Sequence, residues 1–263
     1  MRVGIVGAGP AGLFTAYELA EKTTFEVVVI EQGSDLHNRK HRLHGIGGAG
    51  TFSDGKLNID PTIGGNLLEF TSQKEANELL SYIQSVFESF GVNCEVKFDP
   101  ELDARVSKFQ DKAAKSDIEF VPYKTIHVGT DELPKIISQF KYHLIEKGVS
   151  FRTDTQVKDI ILESGKKYVV AREMTEAGTE EKMLDFDAVV LGSGRSGARW
   201  LKTQADKLGI KKVYGAVDVG VRVEVPAKVL EPIIALSYDA KLRIKKTPTY
   251  GDFVRTFCTC PNG

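Results

Sequence analysis

The first 31 residues constrain this chain most, because an apolar strand, a glycine turn and a helix follow one another directly. The apolar run 1–6 precedes the hexapeptide Gly7-Ala8-Gly9-Pro10-Ala11-Gly12, and residues 13–20 have helical character. A second apolar run, 26–30, ends at Glu31, 19 residues after the last glycine of the turn. This order is typical of a dinucleotide-binding βαβ unit, in which the acid lies near a ribose.

Each glycine of the turn has its own expected role. Gly7 allows the tight turn, Gly9 lets the backbone approach a pyrophosphate, and Gly12 lets the helix pack closely on the strand. The N–H groups and the positive dipole end of the helix would then face the phosphates. The alternative is a glycine-rich turn in an unrelated α/β protein, but the strands and the terminal acid in register argue against it.

Composition bounds the class of protein. The chain has 263 residues, 41% apolar residues and a net charge of −1, as an ordinary globular protein does. The near-neutral charge argues against a nucleic-acid partner. The densest basic tract, 39–42, is typical of a solvated loop, and a phosphate contact beside the nucleotide motif is the alternative. No apolar run approaches the roughly 20 residues of a membrane span, so no membrane partner is expected.

The chain starts on a core strand, which leaves no room for a signal peptide. Three cysteines are too few, and odd in number, for a disulfide framework, and they favour a reducing compartment. We therefore expect a cytoplasmic protein. The sequence specifies no oligomeric state.

Hydrophobic periodicity and turn residues predict the elements along the rest of the chain. A glycine-rich loop occupies 32–65, and Thr130-Asp131 is expected to cap the second of two further helices. Alternation of valines with other residues from 217 to 225 predicts a strand with one buried face. The remaining predicted helices are 74–90, 133–145 and 197–208. The remaining predicted strands are 119–128, 149–153, 155–163, 167–174, 187–191 and 253–260.

A second glycine cluster, 192–197, also fits the dinucleotide pattern. No strand ending in an acid follows about 20 residues later, which a complete fingerprint requires. We therefore interpret Gly192-Ser193-Gly194 as the turn of a late strand that returns to the nucleotide sheet. Its small residues would let the backbone pass close to a bound cofactor.

Three further segments, 47–58, 218–224 and 255–261, carry a resemblance to a family. Together with the first glycine turn they resemble the "FAD-dependent dehydrogenase" (NAD/FAD-utilising) family, with a glutathione reductase-like FAD-binding fold. The resemblance covers the whole chain. It implies an α/β fold, in which a Rossmann-like FAD-binding domain is interleaved with a β-rich second domain for the substrate.

Domain bounds follow from that resemblance. We expect residues 1–65 and 149–212 to form a discontinuous FAD/NAD(P)-binding domain, 66–148 a helical connection, and 213–263 the start of an incomplete β-rich domain. The resemblance implies a further segment with a Gly-Asp-type motif whose acid contacts the flavin's ribityl chain, and we identify no equivalent of that motif in these 263 residues. The chain thus resembles a C-terminally truncated member whose ADP end is complete and whose flavin end is not.

The resemblance also implies which residues bind the cofactor. The segment 47–53 is expected to pass along the cofactor, and the alternative is a plain surface loop. The backbone of Val157 is expected to meet adenine, and the alternative is a valine of the core. The implied cofactor-binding residues are Gly7, Gly9, Pro10, Ala11, Gly12, Glu31, Gln32, Gly33, Gly47, Gly48, Ala49, Gly50, Thr51, Phe52, Ser53, Val157, Gly192, Ser193 and Gly194.

Cys258 and Cys260 are weaker catalytic candidates. Residues two apart in a strand point to the same face, so the thiols could form a redox pair or bind a substrate. They could equally be small buried core residues. No metal is expected, because two cysteines leave a structural zinc site half filled.

The predicted function is that of an FAD-dependent oxidoreductase acting on a small organic substrate, with NAD(P)H as an electron donor. The cofactor supplies the chemistry and the protein orients it. Two alternatives stay open. One is a dinucleotide-binding module or incomplete enzyme without turnover. The other is an RNA-modifying flavoprotein, against which the low net charge argues.

Overall fold

The computed structural model divides into two compact units, Met1–Gly55 with Gly129–Val217, and Lys56–Val128 with Asp218–Gly263. Asp54 and Pro261, which belong to segments named above, lie outside the described residues. The structure describes residues 1–53, 55–65, 67–94, 104–123, 125–175, 177–213, 215, 217–237 and 239–260.

Both units contain helices and strands. The strands are β1 (Arg2–Val6), β2 (Glu26–Ile30), β3 (Lys56–Asn58), β4 (Glu119–Val121), β5 (Thr125–His127), β6 (Ser150–Arg152), β7 (Thr155–Glu163), β8 (Lys166–Thr175), β9 (Gly178–Phe186), β10 (Ala188–Leu191), β11 (Lys241–Ile244) and β12 (Val254–Arg255). The helices are α1 (Pro10–Lys22), α2 (Gln73–Ser89), α3 (Ala104–Ala114), α4 (Leu133–Glu146), α5 (Ala198–Lys207) and α6 (Ala227–Ile234).

A parallel sheet in the order β10-β1-β2-β6 forms the centre of the first unit. The strands β1 and β2 are almost entirely buried, as continuous apolar runs in a parallel sheet are expected to be. The helix α4 packs on α1 through Phe140, whose ring centroid lies 5.3 Å from that of Phe14 and 5.4 Å from that of Tyr17. The sheet therefore holds the turn after β1 on a rigid base.

An antiparallel sheet, β7-β8-β9, completes the first unit. The predicted strands 155–163 and 167–174 are confirmed as β7 and β8, and the turn between them, Ser164-Gly165, has positive φ at both residues, 50° and 79°. The third strand, β9, was not predicted, because its residues are mostly polar and exposed and show no buried alternation. Phe186, at its end, is fully buried with residues of both sheets. The predicted fold class, α/β with a Rossmann-like domain and further β-structure, is confirmed.

The second unit contains two small antiparallel sheets, β12-β11-β4 and β3-β5. The predicted strand over 119–128 is therefore two strands in different sheets. A separate core cluster joins α3 to this unit through Val106, Phe120 and Leu236. The helices α3 and α6 were not predicted, because charged and turn-forming residues around α3 and Pro232 inside α6 obscure the helical period.

Residues 217–225 do not form the predicted strand with one buried face. The valines at 217, 219, 221 and 223 are 84%, 96%, 88% and 73% exposed, and no strand is assigned to this segment. Alternation buries a face only where a second layer covers it, and no described residue does so here. Likewise, the predicted strand 253–260 is reduced to Val254–Arg255, because only these two residues pair with β11.

Two smaller observations complete the fold. The helix α4 begins after Glu132, without a side-chain cap, so the predicted capping by Thr130-Asp131 is wrong. Among the described residues, no helix is both long enough and apolar enough to cross a membrane. The predicted domain bounds differ from the two compact units in where they place α4, and they stay a prediction.

Candidate functional site

The turn after β1 is shaped by glycines that leave no space for side chains. The N–H of Gly7 donates to the carbonyl of Ile30 at 2.8 Å, and Gly7 has φ +102°. A Cβ atom on Gly7 would lie 2.4 Å from the carbonyl oxygen of Gly192, and one on Gly12 would lie 1.9 Å from that of Gly7. Both positions require glycine because backbone passes directly against them.

Gly9 differs from these two glycines. Its φ of −76° suits any residue, and a Cβ atom there would meet only the Cα of Gly48, at 3.9 Å. Gly9 precedes α1, and Pro10 and Ala11 are exposed. The first N–H groups of a helix have no partner within it. The turn at Gly9 therefore leaves a side that admits a ligand.

The carboxylate of Glu31, at the end of β2, is 5% exposed and is held by backbone donors. One oxygen accepts from the N–H of Gly33 and of Gly45, both at 2.9 Å, and the other accepts from the N–H of Ala8 at 2.8 Å. Glu31 therefore ties the turn after β1 to the loop that follows β2. The predicted contact with a ribose stays a prediction.

The segment 45–53 packs against the turn, as its glycine content predicted it would near a phosphate site. The N–H of Gly47 donates to the carbonyl of Ala8 at 2.8 Å, and a Cβ atom on Gly48 would lie 2.9 Å from the Cα of Gly9. The hydroxyl of Thr51, 1% exposed, donates to carbonyls of the same loop. Ala49, Gly50 and Ser53 are exposed at its outer side, and Phe52 is half-buried.

Arg39 shapes this loop, a role that the sequence did not indicate for the basic tract 39–42. Its guanidinium donates to the carbonyls of Ile46, Arg42 and Gly48, and its Nε to that of His41 at 3.0 Å. It also lies over the ring of Phe52, 4.9 Å from the centroid. Burial lowers the pKa of Arg39, and the charge of Glu31 opposes that shift. The sequence signal that could have indicated this role is the position of Arg39 within a glycine-rich loop.

The remaining predicted residues of the first unit lie around the turn. Gln32 donates from its side-chain amide to the hydroxyl of Ser196 at 3.2 Å, and a Cβ atom on Gly33 would lie 2.5 Å from the N of Gly45. Val157 is 8% exposed within the core cluster, where the structure places it as a core valine. Its backbone contact with adenine stays a prediction.

The second glycine turn continues from β10, as the sequence indicated. The N–H of Gly192 donates to the carbonyl of Val6 at 2.8 Å, which places this turn beside the first. The hydroxyl oxygen of Ser193 is buried and has no hydrogen-bond partner among the described residues. Gly194 is exposed, with φ +58°. A buried hydroxyl without a partner is rare, and it lies next to Gly192, which packs against the first turn.

Cys258 and Cys260 belong to the second unit, whereas all the other predicted site residues belong to the first. Both thiols are exposed, which excludes the interpretation that they are small buried core residues. Their sulfur atoms lie 3.6 Å apart. The interpretation as a reactive pair stays open.

Comparison with known proteins supports the sequence pattern of the turn. Residues 5–54 match the family described as "NAD(P)-binding Rossmann-like domain". An uncharacterized protein of Clostridium beijerinckii is 22% identical in an alignment 286 positions long, which covers 98% of this chain and 44% of that protein. The chain therefore spans less than half the length of the curated relative it matches.

Several solved structures resemble parts of the chain. The glycine oxidase of Geobacillus kaustophilus has a TM-score of 0.45 at 18% identity, over 79% of this chain and 58% of its own. The THI4 protein of Thermovibrio ammonificans has a TM-score of 0.47 at 18% identity, over 80% and 62%. A flavoprotein/dehydrogenase from Cytophaga hutchinsonii has a TM-score of 0.44 at 14% identity, over 82% and 44%.

Proposed function

We propose that the first unit binds FAD, and that the chain is part of an FAD-dependent oxidoreductase that acts on a small organic substrate. The observation that carries this proposal is the open side of the turn at Gly9, between a helix N-terminus and a second glycine segment. A dinucleotide needs such a place, because its pyrophosphate requires backbone N–H groups without intervening side chains.

The pyrophosphate would bind where the turn meets α1. The N–H groups of Ala11 and Gly12 lie in the first turn of that helix, where its dipole favours an anion. Gly48 packs directly on Gly9 from the opposing loop and adds no side chain beside the turn. Arg39 holds that loop in place through its backbone carbonyls rather than by contact with the ligand.

Glu31 would bind the adenosine ribose with the acceptor capacity that its backbone contacts leave. A carboxylate has about four lone-pair positions, and three are taken by the N–H groups of Ala8, Gly33 and Gly45. The fourth could accept from a ribose hydroxyl. A negative charge at this place disfavours a ligand with a 2′-phosphate.

When bound, FAD would supply hydride and electron transfer, and the residues of this chain would bind and orient it. Ser193 fits this role, because its buried hydroxyl needs a partner and lies beside the turn. NADH or NADPH is proposed as the electron donor. The reaction and substrate of the whole protein are proposed only at the level of class, since the curated relative is more than twice as long.

A second candidate is a module that binds NAD without flavin chemistry. The description of the matching family, an NAD(P)-binding domain, favours it. The two candidates differ in what the purified chain retains, because only a flavoprotein becomes yellow on incubation with FAD.

The test is reconstitution with FAD, followed by gel filtration and an absorbance spectrum of the protein fraction. The proposal predicts retained flavin that NADH or NADPH bleaches without oxygen. Binding of NADH with no retention of FAD would support the second candidate instead. Failure to bind FAD, ADP and NADH alike would contradict both.

A further inference from the structure

A buried charged cluster lies in the second unit, apart from the predicted nucleotide site. Its centre is the carboxylate of Asp239, which is 3% exposed. It accepts from the hydroxyl of Tyr123, the ammonium of Lys241 and the N–H of Thr259, each at 2.8 Å. The cluster thus joins β11 to the segment that carries the two cysteines.

A second ammonium lies in the same cluster. Lys56, whose side chain is 6% exposed, has its Nζ 3.7 Å from Oδ1 of Asp239 and donates to the carbonyl of Thr259 at 2.8 Å. The same Nζ lies 3.6 Å from Sγ of Cys258. Lys56 therefore bridges the buried carboxylate and the exposed thiol.

The cluster gathers charged and titratable side chains around one carboxylate. Two ammonium groups, of Lys56 and Lys241, face Asp239. Burial raises the pKa of Tyr123, and Asp239 raises it further, so the phenol stays neutral. Lys56 is the ammonium that reaches from this buried carboxylate to the thiol of Cys258.

The thiol of Cys258 lies beside the ammonium of Lys56, with 3.6 Å between Sγ and Nζ. A neighbouring ammonium favours the thiolate form of a cysteine. The sulfur of Cys260 lies 3.6 Å from that of Cys258, and both residues are exposed to reagents. At this separation, rotation of the side chains could bring the sulfurs together.

We propose that Cys258 and Cys260 form a dithiol–disulfide couple that exchanges with exposed disulfides of small thiols, with Cys258 as the attacking thiolate. Lys56 is a positioning residue that favours this thiolate, and Asp239 holds Lys56 in place. This activity goes beyond the proposed flavin function and does not require it.

The exchange proceeds in two balanced steps. The thiolate of Cys258 attacks one sulfur of the external disulfide, forms a mixed disulfide and releases one small thiolate. Cys260, as a thiolate, then attacks Sγ of Cys258 and releases the second one. The two protons of the protein thiols are taken up by the two departing thiolates. The protein dithiol is oxidised, and the external disulfide is reduced to two thiols.

The first test incubates the reduced chain with oxidised glutathione, blocks the remaining thiols and maps the peptides by mass spectrometry. The proposal predicts a bond between Cys258 and Cys260. With Cys260→Ser, glutathione should accumulate on Cys258, and with Cys258→Ser, mixed disulfide at Cys260 should form about tenfold more slowly. Equal rates for the two single variants, or no disulfide in the wild type, would overturn the proposal.

The second test measures the rate at which iodoacetamide modifies Cys258 in the Cys260→Ser background. We expect Lys56→Met to slow this reaction about tenfold and Lys56→Arg, which keeps the charge, to restore most of it. Lys245→Met is the matched control, because that side chain is 79% exposed and pairs with Glu119 instead. Equal rates for Lys56→Met and Lys245→Met would overturn the role of Lys56.

Cys94 reports whether each variant is folded. It is buried, and burial raises its pKa to about 11, so a folded chain should leave it unmodified. A variant in which iodoacetamide modifies Cys94 rapidly has lost its fold. The glutathione test, which leaves Lys56 intact, then decides the proposal. Neither test contains flavin, so failure of the FAD-dependent function would not affect their outcome.

Discussion

Each unit contains a buried carboxylate, but the two carboxylates are held in different ways. Glu31 accepts only from backbone N–H groups, of Ala8, Gly33 and Gly45. Asp239 accepts from a phenol, an ammonium and one N–H, and a second ammonium lies 3.7 Å away. The first carboxylate fixes the path of a backbone, whereas the second fixes a set of charged side chains.

This difference matches the two roles that we propose: the site in the first unit binds a dinucleotide, and the cysteines of the second unit react. Backbone donors and glycines create a rigid space without titrating groups, which suits a dinucleotide. Side-chain charges around a thiol change its chemistry, which suits exchange reactions. The predictions below test whether the two carboxylates have these separate roles.

The largest expected effect is that of Glu31→Ala. It leaves three backbone N–H groups buried without an acceptor, at a cost of about 1–3 kcal/mol each. We expect a loss of roughly 3–9 kcal/mol in the free energy of unfolding, measured with urea. Glu26→Ala, on the same strand, is the control: its side chain is 59% exposed, and its loss should stay below about 1 kcal/mol. Similar losses for both would show that Glu31 does not tie the turn to the loop.

Asp239→Asn should cost about 3 kcal/mol, because it removes a buried carboxylate that pairs with the ammonium groups of Lys56 and Lys241. The control is Asp218→Asn, whose ion pair with Arg255 is exposed and worth at most about 1 kcal/mol. If the two variants lose equal stability, the buried cluster is not what stabilises this region.

The stability that Asp239 contributes should also depend on pH. Burial alone would raise the pKa of Asp239, but hydrogen bonds from Lys241, Thr259 and Tyr123 lower it below its ordinary value of 3.8. The stability that Asp239 contributes is therefore present above that value and is lost as the pH falls through the folded-state pKa. Unfolding titrations from about pH 5 to about pH 2 should show the wild type approaching the Asp239→Asn variant. A constant difference between them would contradict this.

The glycines of the turn should separate into structural and ligand-facing positions. Gly12→Ala places a methyl group 1.9 Å from a carbonyl oxygen and should cost about 2–3 kcal/mol. Gly9→Ala meets nothing closer than 3.9 Å and should cost at most about 1 kcal/mol, the usual range for a helix cap. Urea unfolding of the pair measures this, and the reverse order of losses would contradict the description of the turn.

The smallest effect is expected at the exposed valines. Val219, which is 96% exposed, should tolerate replacement by serine within about 0.5 kcal/mol. Val29→Ser, at a fully buried position in β2, should cost several times more. A large loss at Val219 in the thermal or urea unfolding of this chain would mean that the predicted buried strand exists after all.

The sequence predicted the first unit well, because its site depends on local order. The turn from Gly7 to Gly12, the helix after it and the acid at Glu31 lie within one βαβ unit, so spacing alone placed them together. The packing of Gly47 and Gly48 on that turn followed from composition. Arg39 was missed because a guanidinium that binds loop carbonyls has no periodic signal.

The second unit was predicted poorly, because its parts come from distant segments. Lys56, Tyr123, Asp239 and Cys258 lie on four separate stretches of chain, and each alone is an ordinary residue. Spacing within the sequence contains no information on their contacts. The prediction for 217–225 was wrong for the opposite reason. The alternation of valines is a clear local pattern, but no layer among the described residues covers these side chains.

The central claim, that the turn at Gly9 binds FAD, is tested most directly by the affinity of the chain for FAD in titration calorimetry. Wild type is compared with Gly9→Val and with Gly220→Val, a control at a position with no atom within 4 Å of the added Cβ and no positive φ. We predict at least tenfold weaker binding of FAD by Gly9→Val, with unchanged binding by Gly220→Val. Equal affinity in all three proteins would contradict the account.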